Sequence, residues 1–326
     1  MNRERLVVKR LEMKDQDAED LRKGLTNKSR KIIPPKIGYD EVGSIIYEKM
    51  TELPHYYLTR LEAELLKEHA GDIAKATGNC EILELGSGSS SKTTLLLDAY
   101  EKEYGEMRYL PTDVSEKMLI GSAERLLERY PKTLSCHCIV GTFVESVAEA
   151  PKLVLPNRMI AFLGSTLGNM VYDDSETLAC QLANSMAPGE FFLVGIDLQK
   201  DVSVILDAYT GPSAEVQSQF SINHLTVMNR RFGGNFNLED FRITTEYLHD
   251  VHHVEMYIES LKEQVVTLKG LDLELQFSKG EKMRQLISRK FDLQDTYSML
   301  KRCNLNVVMT FKDANEWYGL LLCQKE

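Results

Sequence analysis

The sequence predicts a doubly wound α/β fold carrying a second, smaller domain. Three observations point there. From residue 81 to residue 197, short apolar runs alternate with helix-patterned stretches, the rhythm of a parallel sheet. The first run, Ile82-Leu83-Glu84-Leu85, breaks into a glycine and serine turn, Gly86-Ser87-Gly88-Ser89-Ser90-Ser91-Lys92, ahead of a helix. Residues 201–285 then leave that rhythm for helical stretches followed by segments of period two.

Taken in order, residues 1–33 are polar and charged, with a helix expected near Asp15 to Leu25 and closed off by Pro34-Pro35. Ile45, Ile46, Tyr47 and Met50 recur at helical spacing, and Leu53 to Arg60 reads as an aromatic-rich turn. Leu61 to Lys75 reads as an amphipathic helix, with Leu61, Leu65, Leu66, His69 and Ile73 toward one face. Strands are expected near 81–85, over Met107 to Thr112, near 134–140, over Met159 to Leu163 and over Phe191 to Ile196. The helices between them cover about 92–102, 116–130 and 174–186. A glycine loop at Phe232 to Phe236 precedes alternating segments at His253 to Ile258, Gln264 to Leu268 and Leu271 to Phe277. A last portion starts at Leu286, with a helix over Leu293 to Cys303 and strands over Asn306 to Phe311 and Trp317 to Cys323. The expected division is a core of 62–200 with 286–326, and a cap of 1–61 with 201–285.

With 326 residues the chain is long enough for two domains, and 43% hydrophobic with 27% charged residues is ordinary for a globular protein. A formal net charge of −10 argues against nucleic acid or an anionic membrane as the main partner, since both call for a basic face. No apolar run approaches the ~18 residues of a membrane span. The charged start, Met1-Asn2-Arg3-Glu4-Arg5, lacks the apolar core of a signal peptide. The six cysteines are scattered, which fits reduced core thiols in a cytoplasmic protein, and a monomer is expected. In Cys136-His137-Cys138, strand alternation puts both thiols on one face with no second ligand pair, and His249, His252 and His253 lack a fourth ligand. No metal is expected.

In doubly wound sheets, ligands sit at the carboxyl ends of the strands, where the strand order reverses. Gly86 and Gly88 follow the first strand, let a ligand approach the backbone, and lead to the free N–H groups of a helix start. Asp113 ends the second strand, placed to accept hydrogen bonds from two ribose hydroxyls. Gly141-Thr142-Phe143 ends the third, where an adenine would lie against Phe143. A nicotinamide site asks for GxGxxG and a phosphate loop for GxxxxGK[ST]; GSGSSSK is neither. The combination points to S-adenosylmethionine at the turn of Glu84, Gly86, Ser87 and Gly88, with Asp113, Thr142 and Phe143, and hence to methyl transfer. The alternative is a glycine turn that merely joins strand to helix.

Six stretches together carry a resemblance. They are Gly38-Tyr39-Asp40-Glu41-Val42-Gly43-Ser44, Leu53-Pro54-His55-Tyr56-Tyr57-Leu58-Thr59-Arg60, Glu84-Leu85-Gly86-Ser87-Gly88, Phe162-Leu163-Gly164-Ser165-Thr166-Leu167-Gly168-Asn169, Asp207-Ala208-Tyr209 and Ser288-Arg289-Lys290-Phe291. From about Leu21 onward the chain resembles the histidine-specific Nα-methyltransferases of ergothioneine biosynthesis, which convert histidine to the betaine hercynine. A wider group includes fungal enzymes that N-methylate tryptophan or prenylated tryptophan. The resemblance implies a Rossmann-like class I methyltransferase core with a substrate-binding cap, and puts Gly86, Lys92, Asp113, Thr142 and Phe143 where that family binds S-adenosylmethionine. It also implies that Asn169 and Tyr209 hold the α-carboxylate of a free amino acid, and that Tyr39, Tyr56 and the Gly164 backbone surround its amine and side chain. Tyr39 is the candidate proton relay, and Met256 could line the pocket. The histidine enzymes commonly have Asp where Thr142 stands; Thr also reaches the adenine amino group, more weakly.

One departure bears on the substrate. The histidine enzymes carry Glu two residues before the serine of Ser-x-Lys-[Phe/Tyr], and that pair grips the imidazole. Here the serine is Ser288 and the Glu position is Leu286. An apolar wall favours a larger, less polar ring such as indole or phenol. The expectation is therefore an Nα-methyltransferase for tryptophan or another aromatic amino acid. The alternatives are a true histidine trimethyltransferase and an inactive protein that only binds the cofactor.

Overall fold

The computed structural model describes residues 5–12 and 16–326. In chain order its elements are β1 (Leu6–Arg10), α1 (Asp17–Leu25), α2 (Glu41–Thr51), α3 (Tyr57–Thr77), β2 (Cys80–Leu85), α4 (Thr93–Tyr104), β3 (Met107–Asp113), α5 (Glu116–Arg129), β4 (Leu134–Val140), α6 (Phe143–Ala148), β5 (Asn157–Phe162), α7 (Tyr172–Asn184) and β6 (Phe191–Asp197). Then come α8 (Val202–Thr210), α9 (Ala214–Phe232), β7 (Phe241–Leu248), β8 (His253–Ser260), β9 (Gln264–Leu268), β10 (Leu273–Phe277), β11 (Lys282–Arg289), α10 (Leu293–Arg302), β12 (Leu305–Lys312) and β13 (Tyr318–Lys325). Asp15, the expected start of the first helix, lies outside the described residues. Among the described residues no helix is long and apolar enough to cross a membrane.

Two compact units divide the chain: the described parts of 1–13 with 58–199 and 291–326, and those of 14–57 with 200–290. The larger unit holds one eight-stranded sheet in the order β1-β4-β3-β2-β5-β6-β13-β12. From β1 to β6 the pairs are parallel; β13 runs antiparallel to β6, and β12 antiparallel to β13. This is a doubly wound arrangement with an antiparallel pair at one edge. The order reverses at β2, with β3 on one side and β5 on the other, so the Gly86 turn leaves the sheet at its switch point. Every residue of β2 and β6 is buried, as expected of parallel strands covered on both faces. Leu83, Leu85, Ile160, Phe162, Phe192 and Val194 pack with Leu182 of α7 and with Met299 and Leu300 of α10.

Two expectations need correction here. The short N-terminal strand β1 extends the large sheet by pairing with β4, from Leu6 opposite Cys136 to Arg10 opposite Val140, where only polar chain and a helix were expected. And the cysteines are not all reduced. Cys180 on α7 and Cys303 just after α10 form a disulfide across 123 residues of sequence, their Cα atoms 4.5 Å apart. The helices lie side by side in the fold, which scattered spacing could not reveal. Cys80, Cys136, Cys138 and Cys323 are free and buried. Burial pushes the Cys80 thiol up to about 11 and the Cys138 thiol to about 12, so both stay protonated and unreactive.

The smaller unit packs a three-stranded antiparallel sheet, β11-β8-β7, with the β9-β10 hairpin and helices α1, α2, α8 and α9. Its core joins Leu21, Leu25, Leu225, Met228, Phe241, Ile258 and Met283. The expected boundary after residue 285 cuts through a strand. Leu286 to Arg289 belong to β11 and pair with β8, Leu286 opposite Met256 and Ser288 opposite Val254. Gln285 is the extra residue of a bulge in that strand.

Candidate active site

The glycine turn is built from positions that only glycine adopts freely: φ is +65° at Gly86 and +50° at Gly88. Around it, Ser87 N–H donates to the Thr112 carbonyl at 2.9 Å, and the Ser122 hydroxyl donates to the Gly88 carbonyl at 2.8 Å. The Ser87 hydroxyl is buried and has no partner among the described residues. Asp113, at the end of β3, accepts from Gly88 N–H at 3.1 Å and Ser115 N–H at 2.8 Å. Burial raises its carboxyl above the ordinary carboxylate range, while those backbone bonds pull the other way.

Glu84 was expected among the cofactor-binding residues, and its carboxylate lies under the turn. It is 4% exposed, and its carboxylate accepts from Thr93 Oγ1 at 2.5 Å and from the Tyr109 hydroxyl. The Tyr109 hydroxyl also meets Ser90 Oγ at 2.9 Å. Glu84 thus braces the turn from below. Burial pushes its carboxyl up to about 7, against the bonds from Thr93 and Tyr109.

Phe143 opens α6. A Cβ on Gly86 would sit 3.4 Å from its ring, and the ring stands edge-on to Phe162 at 5.1 Å. Thr142 is exposed and donates through Oγ1 to Glu145 Oε2 at 2.8 Å. Gly164, at φ +78°, follows β5. Asn169 is half-buried after a single 3₁₀ turn, and among the described residues nothing hydrogen-bonds its side-chain amide.

Glu62 on α3 was missed by sequence reading, and it links several of these pieces. Its fully buried carboxylate pairs with Lys92 and accepts from Gly164 N–H at 2.8 and 2.9 Å and from the Tyr318 hydroxyl at 2.8 Å. A signal existed. Glu62 stands four residues after Leu58 and four before Leu66, on the stripe that buries the helix.

In the smaller unit, Tyr39, Tyr47 and Phe220 form an aromatic cluster with ring centroids 5.0 to 6.1 Å apart. Tyr56 stands edge-on to Tyr209 at 6.5 Å. Burial, with Tyr47, Tyr209 and Tyr39 nearby, pushes the Tyr56 hydroxyl well above its ordinary range. Tyr209 OH donates to Ser288 Oγ at 2.7 Å, and the buried Lys290 ammonium donates to Ser288 Oγ at 2.8 Å and Tyr209 OH at 3.1 Å. Met256 is 1% exposed and faces the half-buried Leu286 across the β8–β11 pair. Beside Leu286, the Gln285 amide donates to Ser221 Oγ at 2.9 Å. Ser221 sends its own proton to the Gln217 carbonyl at 2.9 Å, so the buried, unpartnered atom of Gln285 is its oxygen. Lys290 was read from sequence only as part of the Ser-x-Lys element, without a role, and Gln285 was not singled out. His253 pairs with Glu255 at 3.1 Å, and no metal-ligand group occurs among the described residues.

Residues 17–325 match the family model described as histidine-specific methyltransferase, SAM-dependent. The chain is 34% identical over 303 residues, 93% of each protein, to a histidine N-alpha-methyltransferase of Mycolicibacterium smegmatis. It is 25% identical over 325 residues to the N-methyltransferase dtpB of Aspergillus flavus, covering 94% of this chain and 89% of that one. It is 26% identical over 207 residues to the 4-dimethylallyltryptophan N-methyltransferase easF of Claviceps purpurea, covering 61% of this chain and 60% of that one.

Proposed function

The chain belongs to the family of histidine-specific, S-adenosylmethionine-dependent methyltransferases, and from that premise we propose that it methylates the α-amine of a free L-amino acid with an aromatic ring other than imidazole. The observation that carries this is Leu286. It is half-buried opposite Met256 where a carboxylate would be needed to grip an imidazole N–H. A ring N–H buried without its acceptor costs about 1–3 kcal/mol, or roughly tenfold to a hundredfold in selectivity. An apolar wall suits indole or phenol better.

The residues of the glycine turn fit the cofactor. A Cβ on Gly88 would meet nothing within 4 Å, so the strand end is open there, and the unpartnered Ser87 hydroxyl sits in the same turn. Gly86, Ser87, Gly88, Lys92, Asp113, Thr142 and Phe143 would hold it, with Glu84 bracing the turn. When bound, S-adenosylmethionine supplies an electrophilic sulfonium methyl.

The chain's own residues then have three tasks. The first is to orient the amino acid: Asn169 and the Tyr209 hydroxyl take its carboxylate, and Tyr56, Met256, Leu286 and Ser288 line its side chain. The second is to leave the amine neutral, because only its free electron pair attacks. Tyr39 serves as the orienting or relaying hydroxyl, with water as the final proton acceptor. The third is to let the amine turn between successive transfers. The Gly164 carbonyl accepts an N–H without crowding a newly added methyl. Alignment and water exclusion account for most of the rate in such a displacement.

A second reading, histidine itself, is favoured by one observation. The unpartnered Gln285 oxygen next to Leu286 offers a neutral acceptor in place of the missing carboxylate. A panel of histidine, tryptophan and tyrosine, each incubated with S-adenosylmethionine and read by mass, decides. Mass gains of one, two or three methyls on tryptophan or tyrosine ahead of histidine support the first reading. Efficient histidine methylation with the other two inert refutes it.

A further inference from the structure

We propose that Glu62 is a positioning residue for methyl transfer, a single carboxylate that sets both the Lys92 ammonium and the Gly164 peptide. The inference rests on the roles proposed above for Lys92 toward the cofactor and Gly164 toward the amine.

Glu62 is inaccessible to solvent, and its two oxygens serve donors from three distant segments. Lys92 lies at the start of α4, Gly164 follows β5, and Tyr318 opens β13. A carboxylate has about four lone-pair sites, and these donors fill most of them. The fold makes room for this arrangement at Gly195 in β6. A Cβ there would stand 2.0 Å from Glu62 Oε1 and 2.6 Å from the Tyr318 hydroxyl. No larger residue at 195 leaves the carboxylate in place.

The two functional partners are held differently. The Gly164 N–H is fixed by Glu62, and the next residue, Ser165, is fixed through its hydroxyl by Asp197 N–H at 3.0 Å. With an anchor on each side, the Gly164 carbonyl has little freedom. The Lys92 side chain keeps 21% exposure while its ammonium pairs with the buried Glu62, so this pair reaches from the core to the accessible start of α4. A buried carboxylate is costly unless paired, and Lys92 supplies the pairing. In return Glu62 cancels most of the lysine charge, so Lys92 meets a ligand as an aimed donor. Misplacing a reacting group by about 1 Å can cost about a hundredfold in rate, so one hub that sets two contacts has a large lever.

The test is a double-mutant cycle on S-adenosylmethionine affinity, measured by isothermal titration with Glu62→Gln, Lys92→Met and the pair, each checked by circular dichroism. The expected result is about tenfold weaker binding for each single variant and no further loss in the double, because both remove one coupled contact. A merely structural Glu62 would lower the melting temperature and leave the affinity of the folded fraction alone. Tyr318→Phe removes one donor from Glu62 and keeps the ion pair; it should weaken binding about twofold to threefold. The inference is overturned if Lys92→Met weakens binding while folded Glu62→Gln does not, or if the two effects simply multiply. If Glu62→Gln does not fold, an unchanged affinity in Tyr318→Phe overturns it instead. Unchanged affinity in Lys92→Met overturns the reading of Lys92 itself, and this inference with it.

Discussion

Leu286→Glu is expected to move selectivity toward histidine. The position is half-buried on β11, opposite Met256 and two residues before Ser288, so a new carboxylate shares a strand face with the serine hydroxyl. A hydrogen bond to a charged group is worth about 1.5–3 kcal/mol, which is roughly tenfold to a hundredfold in kcat/KM for an imidazole substrate. Desolvation of the carboxylate beside Met256 takes back part of this. The Lys290 ammonium, 2.8 Å from Ser288 Oγ, favours the ionised form and limits that loss. Tryptophan gains less, because its larger ring gives up apolar contact with the leucine. The net expectation is a rise of about tenfold in the histidine-to-tryptophan ratio. The assay is competition between equimolar histidine and tryptophan at limiting enzyme, with methylated products counted by mass. A folded variant that binds S-adenosylmethionine normally and leaves the ratio unchanged refutes the assignment of Leu286 to the side-chain wall.

Asn169→Ala should raise KM for the amino acid by about tenfold with little change in kcat, as expected for lost uniform binding; an unchanged KM removes Asn169 from the carboxylate site. Cys180→Ser, or full reduction with dithiothreitol, should lower the melting temperature by roughly 5–10 °C, since cross-linking across 123 residues constrains the unfolded chain by about 2–4 kcal/mol. A melting curve that does not move once both thiols titrate would show that the link contributes nothing. Glu84 predicts a pH effect of known sign. Burial pushes its carboxyl up to about 7 in the fold from an ordinary 4.5, so between those values the folded state keeps a proton the unfolded state has lost. Stability therefore falls as pH rises through that window, and Glu84→Gln should gain unfolding free energy over the parent between pH 5 and pH 7.5, by an amount on the order of 2–3 kcal/mol, read as a rising difference in melting temperature. A gain that is the same at both pH values contradicts the buried, protonated carboxyl.

What the sequence disclosed followed the range of the interactions involved. The core strands could be read because a buried parallel strand is a continuous apolar run, and Cys80–Leu85 and Phe191–Asp197 are buried throughout. The glycine turn could be read because positive φ selects for glycine at 86 and 88. Strand β1 escaped notice because five residues, none of them buried, leave no clear period. The boundary at 286 was misplaced because β11 looks apolar enough for the core, and only its pairing with β8 assigns it elsewhere. The Cys180–Cys303 link depends on α7 packing beside α10, a relation absent from spacing. Glu62 looks like any charged helix residue until its place on the buried stripe is counted.

The same contrast separates the two halves of the chemistry. A methyl donor with a nucleoside is recognised largely by backbone geometry: a turn, a helix start and one acid at the end of the neighbouring strand. Those demands fall within about thirty residues here, Gly86 to Asp113, and they leave a compositional trace in glycine and serine. The amino-acid side proposed here would draw on side-chain ends from separate segments, at residues 39, 56, 209, 256 and 286, which share no period. Within that set, Leu286 is half-buried and lies outside the buried cluster of the smaller unit, so a change there is expected to alter selectivity more than folding. Donor and fold can therefore stay fixed across such a family while the acceptor drifts. Kinship to histidine methyltransferases thus establishes the transferred group, and the residues facing the ring decide who receives it.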